Sequence, residues 1–215
     1  MALCGVAPDV MKPSALLLNI LVASIGTFRF YRAGCFSWSI FLPFAIGSVP
    51  FAIVGGWLTL PGSIYKQIVG VILLLAAYQL FRAKPVAFTE HESTTKMASF
   101  PIAVICGAGI GLLSGVTGTG GGIFLTPLLL FMGWAETRNA AGVTVPFVLV
   151  NSIGGIFGYL SKVKGLPDEI AYWAIAAVIG GIVGSEMGSR RLGSLALRRL
   201  LAVVLVIAGI KLIFV

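Results

Sequence analysis

The stretch Gly115-Val-Thr-Gly-Thr-Gly-Gly-Gly122 decides how this chain folds. It lies in the middle of a run of 39 residues, 97–135, that contains no Asp, Glu, Lys or Arg. One straight helix over this run would be about 58 Å long, about twice the thickness of the hydrocarbon core of a bilayer. Glycines at 118 and 120–122 also make a continuous helix costly, at about 1 kcal/mol each. We therefore predict a broken, re-entrant hairpin over 100–133.

The tip of this hairpin is a candidate binding site, because broken backbone at membrane depth is tolerated only beside protein or a water-filled cavity. Helical arms are predicted at Phe100–Gly115 and Gly122–Met132. Glycines let a ligand approach the backbone closely, and the free N–H groups at the start of the second arm attract an oxyanion. The predicted tip residues are Thr117, Gly118, Thr119, Gly120, Gly121 and Gly122, in which the two threonine hydroxyls could add donors.

The alternative reading of the glycines is packing. Gly107, Gly111 and Gly115 form a small-xxx-small ladder that lets two membrane helices approach closely. We interpret Gly107 and Gly111 as packing residues, and the glycine run itself could be only a tight hinge.

The composition indicates an all-α integral membrane protein built as a polytopic helical bundle. Of the 215 residues, 58% are hydrophobic and only 10% are charged, whereas soluble domains carry about 25% charged residues. The net charge of +8 is divided among the loops between apolar runs, so we expect a lipid bilayer and not nucleic acid as the partner. The sequence contains three cysteines without a CxxC and one histidine, so no metal site and no cofactor are expected.

Charge-free intervals and turn residues predict six ordinary spans, near 13–32, 39–59, 63–82, 139–161, 169–189 and 196–214. A polar stretch at 83–99 is the predicted cytoplasmic linker between a first repeat, 1–82, and a second repeat, 100–215. A cleaved signal peptide is not expected, because the first basic residue is Lys12 and no small-residue cleavage site follows an n-region.

The two halves match each other in order and spacing. An offset of 128 pairs Gly26 with Gly154, and an offset of 133 pairs Gly55 with Gly188. If the hairpin returns to its starting side, 10 Lys and Arg lie on the cytoplasmic side and 5 lie outside. If the segment instead crosses the membrane once, the counts are 8 and 7. The positive-inside rule favours the first count. We therefore predict an internal inverted repeat of three spans, in a multi-pass protein of the inner cell membrane.

Polar residues within the spans are further candidates for binding substrate. Thr144, Asn151 and Ser152 lie on one helical stripe, and Asn19 and Ser24 are their counterparts by residue type in the first repeat. Interhelical hydrogen bonding without substrate is an equally good explanation. Glu186 is the acid deepest in any span and could carry a proton, although Arg190, four residues later, favours an ordinary ion pair.

The glycine-rich stretch, continued by Ile-Phe-Leu-Thr-Pro-Leu-Leu-Leu130, resembles the TauE/SafE family of sulfite exporters and related anion permeases. The segment Ala135-Glu-Thr-Arg-Asn-Ala-Ala-Gly-Val-Thr144 is similar to that family as well. The resemblance implies a permease for a small sulfur-containing oxyanion, such as sulfite, thiosulfate or an organosulfonate. The repeat offset puts the counterpart of Gly118–Gly122 before Met1, so we expect the N-terminal hairpin of the first repeat to be missing, as a departure from the family's pattern.

Three explanations of the missing hairpin are considered: a truncated chain, a second subunit that completes the site in a homo-oligomer, and a single hairpin that suffices. The leading function is a secondary transporter for the oxyanion. The alternatives are a passive anion channel and a truncated, non-transporting membrane subunit. An enzyme is not expected, because the spans contain no Ser–His or Asp–Asp constellation, and no phosphate-binding loop for ATP is present.

Overall fold

The structure is a computed structural model that describes residues 8–58, 70–71, 74, 77–78, 99–159, 170–191 and 194–214. All regular secondary structure in these ranges is helical. Five of the described helices are long and apolar enough to cross a membrane, which confirms the all-α polytopic class. The elements are α1 (Pro8–Arg32), α2 (Trp38–Trp57), α3 (Phe100–Thr117), α4 (Gly122–Phe131), α5 (Thr137–Tyr159), α6 (Ile170–Glu186), a π-helical turn (Met187–Arg191) and α7 (Ser194–Phe214).

These helices agree closely with most of the predicted spans. The spans near 13–32, 39–59, 139–161 and 169–189 correspond to α1, α2, α5 and α6, and 196–214 lies within α7. The span at 63–82 and the linker at 83–99 lie almost entirely outside the described residues.

The short helix α4 returns the chain from the end of α3 to the start of α5. A Cβ atom on Gly107 would lie 2.4 Å from the carbonyl oxygen of Phe44, and one on Gly142 would lie 2.1 Å from that of Cys35. The first halves of α3 and α5 therefore both lie beside the first half of α2. Their last turns both reach Gly56, which lies within 3.2 Å of Cβ positions on Gly115 and Gly158. Because α3 and α5 run in the same direction, α4 carries the chain back between them.

The arms of this hairpin are unequal, and their bounds lie within two residues of the predicted arms Phe100–Gly115 and Gly122–Met132. The first arm continues as helix to Thr117, and its 18 residues are long enough to cross a membrane. The second arm, α4, has only 10 residues, about 15 Å of helix. The turn therefore lies at the far end of a near-complete span, with a half-length helix leading back.

Glycine-mediated contacts join α2 to α3. Cβ atoms on Gly107, Gly111 and Gly115 would lie 2.4, 2.1 and 2.2 Å from carbonyl oxygens of α2. Any side chain at these positions would force the two backbones apart. The interpretation of Gly107 and Gly111 as packing residues is confirmed.

The direction of α1 and α6 is opposite to that of α2, α3 and α5. Leu16 contacts the Cβ position of Gly155, and Val145 contacts that of Gly26, so α1 is antiparallel to α5. Val22 contacts the Cβ position of Gly181, and Arg29 pairs with Glu186, so α6 is parallel to α1. Helices that occupy equivalent places in the two proposed repeats therefore run in opposite directions, as an inverted repeat requires. The repeat itself stays a prediction.

A hydrophobic core fixes the hairpin against its neighbours. Phe44 of α2, Leu125 and Leu129 of α4, and Val143 and Phe147 of α5 are all at most 1% exposed and belong to one cluster. Because lipid tails are as apolar as these side chains, close van der Waals packing, and not removal from water, stabilises this cluster. The short helix α4 is therefore held on its inner face by side chains from two long spans.

Candidate functional site

The turn between α3 and α4 is built from left-handed glycines. Gly118, Gly120 and Gly121 have φ angles of 72°, 73° and 79°, a region that side chains other than glycine's rarely occupy. The Gly118 N–H donates to the carbonyl oxygen of Ser114 at 2.8 Å and closes α3, and the carbonyl oxygen of Gly121 accepts from Phe124 and Leu125 at 3.1 Å and opens α4. The glycines thus allow two helix ends to meet within four residues.

Donors remain free at this turn. Within the described part of the chain, the backbone N–H groups of Gly120, Gly121 and Gly122 donate to no acceptor. They lie at the start of α4, where the helix dipole supplies a partial positive charge. An oxyanion placed there would satisfy these groups.

Side chains from two other helices reach the same turn. A Cβ atom on Gly120 would lie 2.9 Å from the Ser152 Oγ of α5 and 3.4 Å from the Asn19 Nδ2 of α1. Ser152 is 0% exposed, and its hydroxyl has no hydrogen-bond partner in the described structure. Buried hydroxyls are normally paired. The fold therefore brings Gly120 and Asn19 next to the unsatisfied hydroxyl of Ser152.

Ser114 is a second unsatisfied hydroxyl, and the sequence analysis missed it. It is 0% exposed, its Oγ has no partner among the described residues, and its Cβ lies 3.3 Å from a Cβ position on Gly121. The only signal in the sequence was a serine within an otherwise apolar arm, four residues before the first left-handed glycine.

The two threonines of the turn are engaged with each other and with the backbone. The Thr117 hydroxyl lies 2.7 Å from the carbonyl oxygen of Leu113 and 2.8 Å from the Thr119 Oγ1. The Thr119 N–H donates to the Thr117 Oγ1 at 3.3 Å. These bonds stiffen the turn, and a role for either hydroxyl in binding stays a prediction.

Asn151 and Thr144 connect helices. The Ser48 hydroxyl of α2 donates to the Asn151 Oδ1, whose amide in turn donates to the carbonyl oxygen of Phe147 at 2.9 Å. The Thr126 hydroxyl of α4 donates to the Thr144 Oγ1 at 2.8 Å. Both arrangements are the interhelical alternative considered above. Thr144 is also close to the turn, since its Cγ2 lies 3.0 Å from a Cβ position on Gly122.

Ser24 does not join the other candidates. It is exposed on α1, and its hydroxyl donates to the carbonyl oxygen of Ile20 at 2.7 Å, one turn earlier in the same helix.

A cavity of about 510 Å³ lies between α1, α5 and α6. Asn19 and Val148 line this cavity, and Val148 also lies 2.6 Å from the Cβ position of Gly120. Away from Asn19 and Ser185, its lining is apolar side chains and the glycines of α1 and α6. The described wall is therefore uncharged, and its polar groups are concentrated where it meets the turn and at Ser185.

An ion pair joins α1 to α6 at residues adjacent in sequence to two that line this cavity, Phe30 and Ser185. The Arg29 Nη1 lies 2.7 Å from the Glu186 Oε2 and also donates to the carbonyl oxygen of Ile182 at 3.0 Å. Glu186 thus has a cationic partner, as expected, but from α1. The side chain of Arg190, the expected partner, lies outside the described residues. Arg29 and Glu186 are 157 residues apart in the sequence, so local spacing could not predict this pair.

Comparison with known proteins places this architecture among membrane transporters. The family described as sulfite exporter TauE/SafE matches residues 1–212. A probable membrane transporter protein of Sinorhizobium fredii is 38% identical over 214 residues, 100% of this chain and 87% of that protein. A probable membrane transporter protein of Methanocaldococcus jannaschii is 26% identical over 218 residues, covering 94% of this chain and 79% of that protein. No solved structure matches the chain.

Proposed function

Because the chain belongs to the sulfite exporter TauE/SafE family of membrane transporters, we propose that it carries a small sulfur-containing oxyanion across the inner cell membrane. Sulfite, thiosulfate and organosulfonates are the anions of this class. The proposed binding site is the glycine turn at 118–122 together with Asn19 and Ser152. In this proposal the multi-pass protein needs no cofactor and catalyses no covalent step.

One observation carries the proposal. Ser152 is fully buried and its hydroxyl has no partner in the described structure, yet it lies beside Gly120, where backbone donors are also free. Leaving a buried donor unsatisfied costs about 1–3 kcal/mol. A ligand that accepts a hydrogen bond from Ser152 would remove this cost.

The donors suit an oxyanion bound without a formal positive charge. The N–H groups at the start of α4 supply partial positive charge, and the Ser152 hydroxyl and the Asn19 amide supply directed donors. Several neutral donors can hold an anion in a water-poor site because hydrogen bonds to charged groups are worth about 1.5–3 kcal/mol.

Flux measurements test this function. Purified protein in liposomes should take up radiolabelled sulfite, thiosulfate or an organosulfonate with saturable kinetics, and uptake should respond to an imposed ion gradient. Chloride and sulfate at the same ionic strength serve as controls. Flux that never saturates and follows only the gradient of the anion itself would favour a passive channel, and absence of flux for every sulfur oxyanion would contradict the proposal.

A further inference from the structure

We propose that Arg29 is a second anion-binding site, at the end of the cavity away from the glycine turn, and that Glu186 occupies it in this state. The inference rests on the proposed function, since its ligand is the same oxyanion on its way to or from the turn. In this proposal the carboxylate of Glu186 stands where an oxyanion oxygen would bind. Substrate displaces the carboxylate, and the contact between α1 and α6 then opens.

The position of the pair supports a role in access. Phe30 and Ser185 line the cavity, and Arg29 and Glu186 are their immediate neighbours in sequence. The side chains of Arg29 and Glu186 are 29% and 37% exposed, so neither is enclosed by the described helices. The Lys and Arg distribution predicts that this end of the bundle is cytoplasmic. An anion that enters from this side meets the pair before it meets the turn.

The surroundings of Arg29 fit an anion. A separate space of about 210 Å³ is lined by Phe28, Arg29, Arg32 and Glu186, and the Arg32 guanidinium lies 5.5 Å from the centre of the Phe28 ring. Two cations and one carboxylate therefore share this space. A guanidinium that already binds one carboxylate has the donor geometry for sulfonate or sulfite oxygens.

The helix that carries Glu186 is irregular at this point. The α-helical pattern ends at Glu186, and a π-helical turn follows over Met187–Arg191. Ser189 in that turn is 3% exposed, and its hydroxyl has no partner in the described part of the chain. Single π-helical turns are frequent at functional sites. The irregular turn and the unsatisfied hydroxyl distinguish this end of α6 from the regular helix before Glu186.

The test is the effect of neutralising each partner on the KM for sulfite, with thiosulfate as a second probe, in liposomes. Glu186→Gln removes the competing carboxylate and should lower KM about two- to fivefold, because a partly exposed ion pair has to be broken by the substrate. Arg29→Gln should raise KM about tenfold or more, since it removes a charged donor. Glu136→Gln and Arg199→Gln, at exposed positions outside the cavity, are the matched controls and should leave KM unchanged.

The double variant Arg29→Gln/Glu186→Gln separates this role from a merely structural pair. If Glu186 acts by occupying Arg29, the double variant has the KM of Arg29→Gln alone. If the pair only joins α1 to α6, both single variants lower the unfolding temperature and neither changes KM, which would overturn the proposal. Glu186→Asp retains the charge and gives a second test if Glu186→Gln does not fold, since its shorter side chain should also lower KM. A parent protein that transports no sulfur oxyanion would instead contradict the proposed function.

Discussion

Ser48 of α2 donates a hydrogen bond to the side-chain oxygen of Asn151 of α5, and both residues are 0% exposed. The next residue, Ser152, is equally buried but has no partner in the described structure. Two adjacent polar residues of one span therefore have different surroundings. Asn151 faces α2 and joins two helices, whereas Ser152 faces the glycine turn with its hydroxyl unpaired.

Replacing Asn151 by Ala should affect folding and not binding. The substitution removes the acceptor of the buried Ser48 hydroxyl, so the free energy of unfolding should fall by about 1–3 kcal/mol. Thermal unfolding in detergent measures this loss. The double variant Ser48→Ala/Asn151→Ala is the control, because it removes both partners and should recover part of the stability. A variant of normal stability that no longer responds to anions would instead place Asn151 in the site.

Replacing Gly120 by Ala should impair transport more than the backbone strain alone would. Its Cβ atom would lie 2.6 Å from the Val148 Cγ1 and 2.9 Å from the Ser152 Oγ, at a φ of 73°. We expect the rate of sulfite uptake in liposomes to fall at least tenfold, since the new methyl group enters the space proposed for the anion.

Gly34→Ala is the matched control for this variant. Gly34 has a φ of 71° and no atom near its Cβ position, so it incurs a comparable backbone strain of about 1–2 kcal/mol far from the turn. Equal losses of flux in Gly34→Ala and Gly120→Ala, measured on equal amounts of folded protein, would mean that the turn matters only for its conformation.

Replacing Gly111 by Ala should separate α2 from α3. A Cβ atom there would lie 2.1 Å from the carbonyl oxygen of Ser48, so the backbones must move and stability should fall by about 1–3 kcal/mol. Gly109 of the same helix has open space at its Cβ position, and Gly109→Ala should be neutral or stabilising by up to about 1 kcal/mol. Thermal unfolding of the two variants side by side checks the difference, and equal stability would contradict the packing role of Gly111.

The sequence was sufficient to predict much of this fold because its strongest constraints are those of the bilayer. The 39 charge-free residues around Gly118 were too long for one span, and the hairpin followed from that length and from the glycines. The small-residue ladder at Gly107 and Gly111 followed from a spacing of four residues. The glycine positions also divided the hairpin into a longer and a shorter arm, predicted at Phe100–Gly115 and Gly122–Met132 and observed with 18 and 10 residues.

The candidate site was less predictable, because it depends on which way each polar side chain points. Asn151 and Ser152 are adjacent, and only the packing of α5 against α2 distinguishes their roles. Ser24 resembles Ser152 by residue type, yet it is exposed and bonded within its own helix. Arg29 and Glu186 meet because α1 and α6 lie side by side, a relationship that no local spacing contains.

The most direct test of the account is anion-dependent thermal stability of the parent and of Ser152→Ala in detergent. The probes are sulfite, thiosulfate, sulfate, a small organosulfonate and chloride at matched ionic strength.

At 100 times its dissociation constant a ligand adds about 2.7 kcal/mol to the stability of the folded state. The account predicts that one sulfur oxyanion selectively stabilises the parent. Ser152→Ala loses the unsatisfied hydroxyl, so it should be at least as stable as the parent without ligand and should bind the anion at least tenfold more weakly. Ser24→Ala should respond like the parent. Equal stabilisation of the parent and Ser152→Ala, or no selective stabilisation of the parent, would contradict the proposed site.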